Sequence, residues 1–202
     1  MKRAIVLALW LGLSPAAVSA GEAGDAVFAE RGPWSLAEDG LVWSLHVEGP
    51  EAPGFLPVDG GSVTLSPAID PSDGQTVLHL TQQTDQRSRR IGPFPSSGGD
   101  PVLTFFLEQT ARDMASLTGG SPFYIRNRLK DALFRGGRIT QDGGGATATF
   151  QPFEGDPNTA RMQGFQTLTL TFVMDDPSRP IRELRAEAGG TAPSYLNRMV
   201  LQ

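Results

Sequence analysis

The sequence predicts an α+β fold: an antiparallel, curved β-sheet with two consecutive amphipathic helices, about residues 100–118 and 121–135, packed on one of its faces. Two observations carry this. Stretches that alternate apolar and polar side chains at period two stand on both sides of the middle of the chain, while the middle repeats its apolar residues every three or four positions. Strands, then two helices, then strands is the order in which helices come to lie on an antiparallel sheet.

The elements follow in order. Residues 21–39 are polar and rich in small side chains, with Val27, Phe28, Trp34 and Leu36 as anchors. Leu41 to Val47 reads as a strand with Leu41, Trp43, Leu45 and Val47 on one face and Val42, Ser44 and His46 on the other. Gly61 to Leu65 is a second strand, closed by Pro67. Asp70-Pro71-Ser72-Asp73-Gly74 is a turn, because Pro presets its first dihedral and Gly tolerates positive φ. Thr76 to Gln82, rich in β-branched residues, is a third strand, and Arg87 to Ile91 is a polar hairpin arm. The Gly, Pro and Ser residues of 92–99 end this section.

Asp100-Pro101 pairs an N-cap with a proline at the first helical position, where its missing N–H is harmless. Val102, Phe105, Phe106, Ala111, Met114 and Leu117 form the apolar side of the helix that follows, and Glu108, Arg112 and Asp113 its wet side. Gly119-Gly120 stops it with a left-handed cap. Ser121-Pro122 starts a second helix with Ile125, Leu129, Ala132 and Leu133 on one face, and Gly136-Gly137 ends it. Ala146 to Phe150 and Phe165 to Met174 are strands. In the latter Leu168, Leu170 and Phe172 point one way, the threonines the other. After a turn at 175–180, Ile181 to Ala188 reads as a paired strand, since a hairpin partner is at hand. The tail from Tyr195 to Leu201 is apolar enough to dock, its conformation left open.

Lys2 and Arg3, the apolar run Ala4 to Leu13, and small residues at Val18-Ser19-Ala20 form the pattern of a secretory signal peptide, with cleavage expected after Ala20. The apolar run is shorter than the roughly 20 residues a membrane-spanning helix needs. The expectation is therefore a leader, residues 1–20, followed by one soluble domain, residues 21–202, exported to the periplasm and carrying no transmembrane segment. The chain has no cysteine among its 202 residues, so disulfides and thiolate chemistry are excluded. That usage suits a bacterial periplasm. Without Lys2 and Arg3, 15 basic residues face 22 acidic ones, a balance of −7, which repels polyanions and argues against nucleic acid as a partner.

Catalytic and metal motifs are sparse. His46 and His79 lie in different strands with no ligand spacing, and each faces away from its strand's apolar side, so solvated histidines are the simpler reading. No Gly-x-Ser-x-Gly elbow or serine-lysine motif occurs. Ser96-Ser97-Gly98-Gly99-Asp100 lacks the lysine of a phosphate loop, and Asp70/Asp73 and Asp175/Asp176 sit in turns whose backbone donors explain them. Neither a cofactor nor a metal is implied, and a hydrolase is the least favoured reading.

Two features point to binding. Arg126, Arg128 and Lys130 gather on the second helix, beside Phe123 and Tyr124, and Arg87, Arg89 and Arg90 form a second basic cluster. Converging, they would hold phosphate or carboxylate groups. The plainer alternative is a solvated helix face. Phe105, Phe106, Met114, Phe123, Tyr124 and Phe134 load the helices with large groups, and helices over a curved sheet can leave an apolar cavity. Periplasmic lipoprotein carriers resemble this layout in topology, although core packing explains the same residues. The expectation is a non-enzymatic binding or accessory module using the basic helix surface. Its partner would be an envelope protein or a small anionic or apolar ligand. The alternative is a carrier of a lipid or other apolar molecule between sheet and helices.

Overall fold

The computed structural model describes residues 21–189 and 195–202; the expected leader, residues 1–20, lies outside them. Among the described residues, nine strands form one open sheet: β1 (Leu41–Glu48), β2 (Val58–Ile69), β3 (Thr76–Gln83), β4 (Ser88–Pro95), β5 (Arg138–Asp142), β6 (Gly145–Phe150), β7 (Thr169–Met174), β8 (Glu183–Ala188) and β9 (Tyr195–Leu201). Their spatial order is β4-β3-β2-β1-β9-β8-β7-β6-β5, and every pair is antiparallel. The last strand thus lies beside the first, with Leu45 opposite Met199, and joins two meanders into one layer. The two free edges, β4 and β5, are linked in sequence by the helices α2 (Pro101–Thr118) and α3 (Pro122–Arg135). The α+β expectation, with two consecutive helices on the sheet, holds.

Period-two patterning decides which face is covered. Trp43, Leu45 and Val47 of β1, Leu78 and Leu80 of β3, Leu170, Phe172 and Met174 of β7 and Leu184 and Ala186 of β8 are all buried. α2 lies on this face. Its Phe106 ring meets Phe172 edge-on at 5.9 Å, and Phe172 meets Phe150 in the same way at 5.9 Å. α3 packs chiefly on α2 and on a short helix α1 (Glu22–Val27) through Ile125, Leu129 and Leu133. Both long helices begin as expected: Asp100 accepts hydrogen bonds from the backbone N–H of Val102 and Leu103, and Ser121 from that of Tyr124.

Several expectations are corrected. α1 and β5 lack a clear period in the sequence and form through their neighbours: α1 leans on α3, and β5 pairs with β6 as a hairpin. Pro67 does not close β2. Beyond Leu65 that strand pairs only with β3, so a missing N–H interrupts no ladder with β1. β4 runs on to Pro95 because it is an edge, where prolines are tolerated. Residues 165–167 form a 3₁₀ turn ahead of β7. Asp113, assigned to the wet side of α2, is buried: Tyr195 Oη donates to its Oδ2 at 2.9 Å and Gln109 Nε2 to its Oδ1 at 2.6 Å. Phe123 and Phe134, counted with the core aromatics, are 69% and 59% exposed.

Arg31 and Asp100 fasten the start of α2. Arg31 donates to the carbonyls of Ala26 and Val27 at the end of α1 and to that of Arg179 in the β7–β8 turn, and its Nε lies 3.7 Å from Asp100 Oδ2. Burial lowers the guanidinium's pKa and raises that of the carboxyl, each against the pull of the other's charge.

Candidate functional site

The outer face of α3 carries the cations singled out in the sequence. Ser121 and Pro122 set the helix start, and Phe123, Asn127, Lys130 and Phe134 then fall four, three and four residues apart, one stripe at 3.6 residues per turn. All four are exposed, since Ile125, Leu129 and Leu133 take the inward side. Phe134 stacks on Phe28, just past α1, with ring centroids 4.7 Å apart and planes 11° from parallel. Phe28, Leu107, Leu129 and Phe134 line an open groove of about 280 Å³ between α2 and α3, and Arg126, Lys130 and Glu108 stand at its rim.

The charges of this face are partly committed. Arg126 Nε donates to Glu108 Oε2 at 2.6 Å and Arg112 Nε to Glu108 Oε1 at 2.8 Å. Partial burial raises the Glu108 carboxyl, but these two guanidiniums outweigh it and hold it below its ordinary value. Lys130 makes no ion pair among the described residues, and Asp131 stands 3.9 Å from Arg135.

Tyr124 and Arg128 are turned to a different task. Tyr124 Oη donates to Asp156 Oδ2 at 2.6 Å and accepts from Asn158 Nδ2 at 3.0 Å, which fixes α3 to the loop before β7. Arg128 Nε lies 2.9 Å from Asp156 Oδ2, close enough for an ion pair but aligned too poorly for a hydrogen bond. Burial raises the Asp156 carboxyl, yet the Tyr124 hydroxyl, the Asn158 N–H and Arg128 together bring it below its usual value. The same hydrogen bond raises Tyr124. Arg128, Arg135 and Arg138 also line a wide polar groove of about 850 Å³ with Asp131, Gln151 and Glu154.

The second cluster sits on β4 and the turn just before it. Arg89 and Arg90 sit on the edge strand β4 opposite Gln82 and Thr81, and Arg87 lines a small hollow with Leu56, Pro57 and Val58. Among the described residues, none of the three shares an ion pair or a groove with Arg126, Arg128 or Lys130. No protein family model, no curated protein and no solved structure matches the chain.

Outside this face, the buried His79 Nδ1, Gln82 Oε1 and Asn197 Oδ1 find no hydrogen-bond partner among the described residues. His46 is half-buried, 3.7 Å from Glu48 and 3.6 Å from Asp59. His79 pairs in register with Ser66, about 20 Å from His46 along the strands at about 3.3 Å per residue. No group of three His, Asp or Glu side chains suited to a metal gathers among the described residues. Asp70 accepts from Ser72, Asp73 from Gln75 and Asp176 from Ser178, the turn bonds expected of them. Sequence reasoning took Phe28 as an anchor of the entry segment, whereas it is exposed, and missed Leu107 and the outward aim of Phe134. A helical wheel held the signal for the last, because Phe134 falls on the stripe of Phe123 and Lys130 rather than on that of Ile125.

Proposed function

We propose that the protein is a non-catalytic binding module of the periplasm, exported by residues 1–20, and that it binds through the outer face of α3. The observation that carries the reading is the exposed Phe28–Phe134 stack beside Lys130, at the mouth of an apolar groove. Large apolar side chains left in water beside a cation suit a ligand with an apolar body and an anionic group. Phe106, Phe150 and Phe172 fill the space between helices and sheet, which favours this surface over an interior cargo site. Arg126 and Lys130 receive the anion; Tyr124 and Arg128 hold α3 in place. Arg87, Arg89 and Arg90 form a separate basic edge.

Titration with decanoate, followed by amide and methyl NMR shifts, tests the reading. Saturable shifts confined to Phe28, Leu107, Leu129, Lys130 and Phe134, and weakened in Lys130→Glu, are expected. Absence of saturable shifts on this face would overturn it.

A further inference from the structure

We propose that the partner of the α3 face is an anionic lipid surface, on which the helix lies flat. The proposal rests on the binding reading above and names the partner. A small molecule in the groove would account for Phe28 and Phe134, which line it, but not for Phe123, which does not. Phe123 and Phe134 are eleven residues apart, roughly 16 Å along a helix that rises about 1.5 Å per residue. Both are exposed, both lie on one stripe, and Lys130 lies between them with Arg126 at the flank. A flat, deformable surface with apolar depth and anionic headgroups meets all four at once. This is how interfacial helices bind, with aromatic groups sunk at the headgroup boundary and cations beside them.

Charge complementarity favours the same partner. Arg126 and Lys130 face one acid, Glu108, along the groove, a balance of +1 in a chain whose total is −5. The rest of the surface is repelled by an anionic bilayer, so approach by α3 is the favoured orientation. An acidic protein would satisfy the cations equally well, but would leave two separated phenylalanines without a reason.

Flotation with vesicles of phosphatidylcholine alone, and of phosphatidylcholine with phosphatidylglycerol, tests the proposal on protein recovered after export. Binding is expected only to the phosphatidylglycerol vesicles, reduced by high salt. Lys130→Glu should weaken it about fivefold or more, and Phe123→Ser with Phe134→Ser at least tenfold. Binding that is equal on both vesicles, or unchanged in the variants, overturns the proposal. If decanoate shifts the groove residues but vesicles do not bind, the lipid surface is excluded while the binding reading stands; if neither binds, both fall. Should the double variant fail to fold, Lys130→Glu decides alone.

Discussion

Tyr195 donates its hydroxyl to Asp113 at 2.9 Å inside the core, so that the first residue of β9 is tied to the middle of α2. The Tyr195 ring lies between Phe165, at 5.2 Å, and Phe55, at 6.4 Å, which leaves the carboxylate little water. Beside it Asn197 Nδ2 donates to Thr110 Oγ1 at 3.2 Å, a second polar bridge between the same two elements. These bridges set the helix on the sheet at one register, a specificity that apolar contacts alone supply weakly.

Asp113 makes stability depend on pH. Burial pushes its carboxyl up to about 6, against the hydrogen bonds of Tyr195 and Gln109 and the charge of Arg87. Its folded value lies above the unfolded one of about 3.9, so its stabilising contribution is complete below about pH 4 and is lost as pH rises through about 6. Asp113→Asn keeps an acceptor for Tyr195 and removes the charge. Relative to the parent, the variant should gain up to about 3 kcal/mol between pH 4 and pH 7. Urea unfolding at the two pH values measures this, and a difference that does not vary with pH would refute it.

The ion pair of Arg31 and Asp100 should be costly to break. Arg31→Met strands a buried carboxylate and also removes the donors to the Ala26, Val27 and Arg179 carbonyls. A loss of about 3–5 kcal/mol is expected. Adding Asp100→Asn should restore part of it, since asparagine still caps α2 without a charge. Equal stability of the single and double variants in denaturant titrations would remove the pair from this role.

Phenylalanines of the two helices should behave oppositely. Phe106→Ala opens a cavity against Phe172 and should cost about 3–5 kcal/mol. Phe123→Ser, at an exposed position, should stay within about 0.5 kcal/mol. Thermal melts of both variants check the contrast, and a large loss in the second would mean that Phe123 is not free on the surface.

Gly137 should resist substitution. Its φ is 96°, and a Cβ there would clash with the Phe150 ring and press on Ala23. Gly137→Ala should cost about 2–4 kcal/mol by strain and overpacking together. Gly119→Ala, also at positive φ but with open space around it, should cost only about 1 kcal/mol. Comparable losses at the two sites would rule out the clash with Phe150.

Where one period dominated, the residues spoke for themselves. Trp43, Leu45 and Val47 face inward by alternation, and Asp100 and Ser121 cap as their chemistry requires. The candidate site was half legible. Lys130 and Arg126 stood out as charges with Phe123 beside them, but Phe134 was read as core, because hydrophobicity alone does not say which side of a helix finds a partner. Tyr124 and Arg128 shared the cluster in sequence and are claimed in space by Asp156, 32 and 28 positions onward.

The sequence by itself determined the period of each strong element, the helix starts and the α+β class, because spacing, caps and turns act over a few residues and need no distant partner. Tertiary structure alone decided that β9 lies beside β1, that Asp113 is buried against Tyr195, that Tyr124 and Arg128 meet Asp156, and that Phe28 and Phe134 meet in the open. Each of these depends on which distant segments share buried surface, and that is settled only when the whole sheet is assembled beneath the helices.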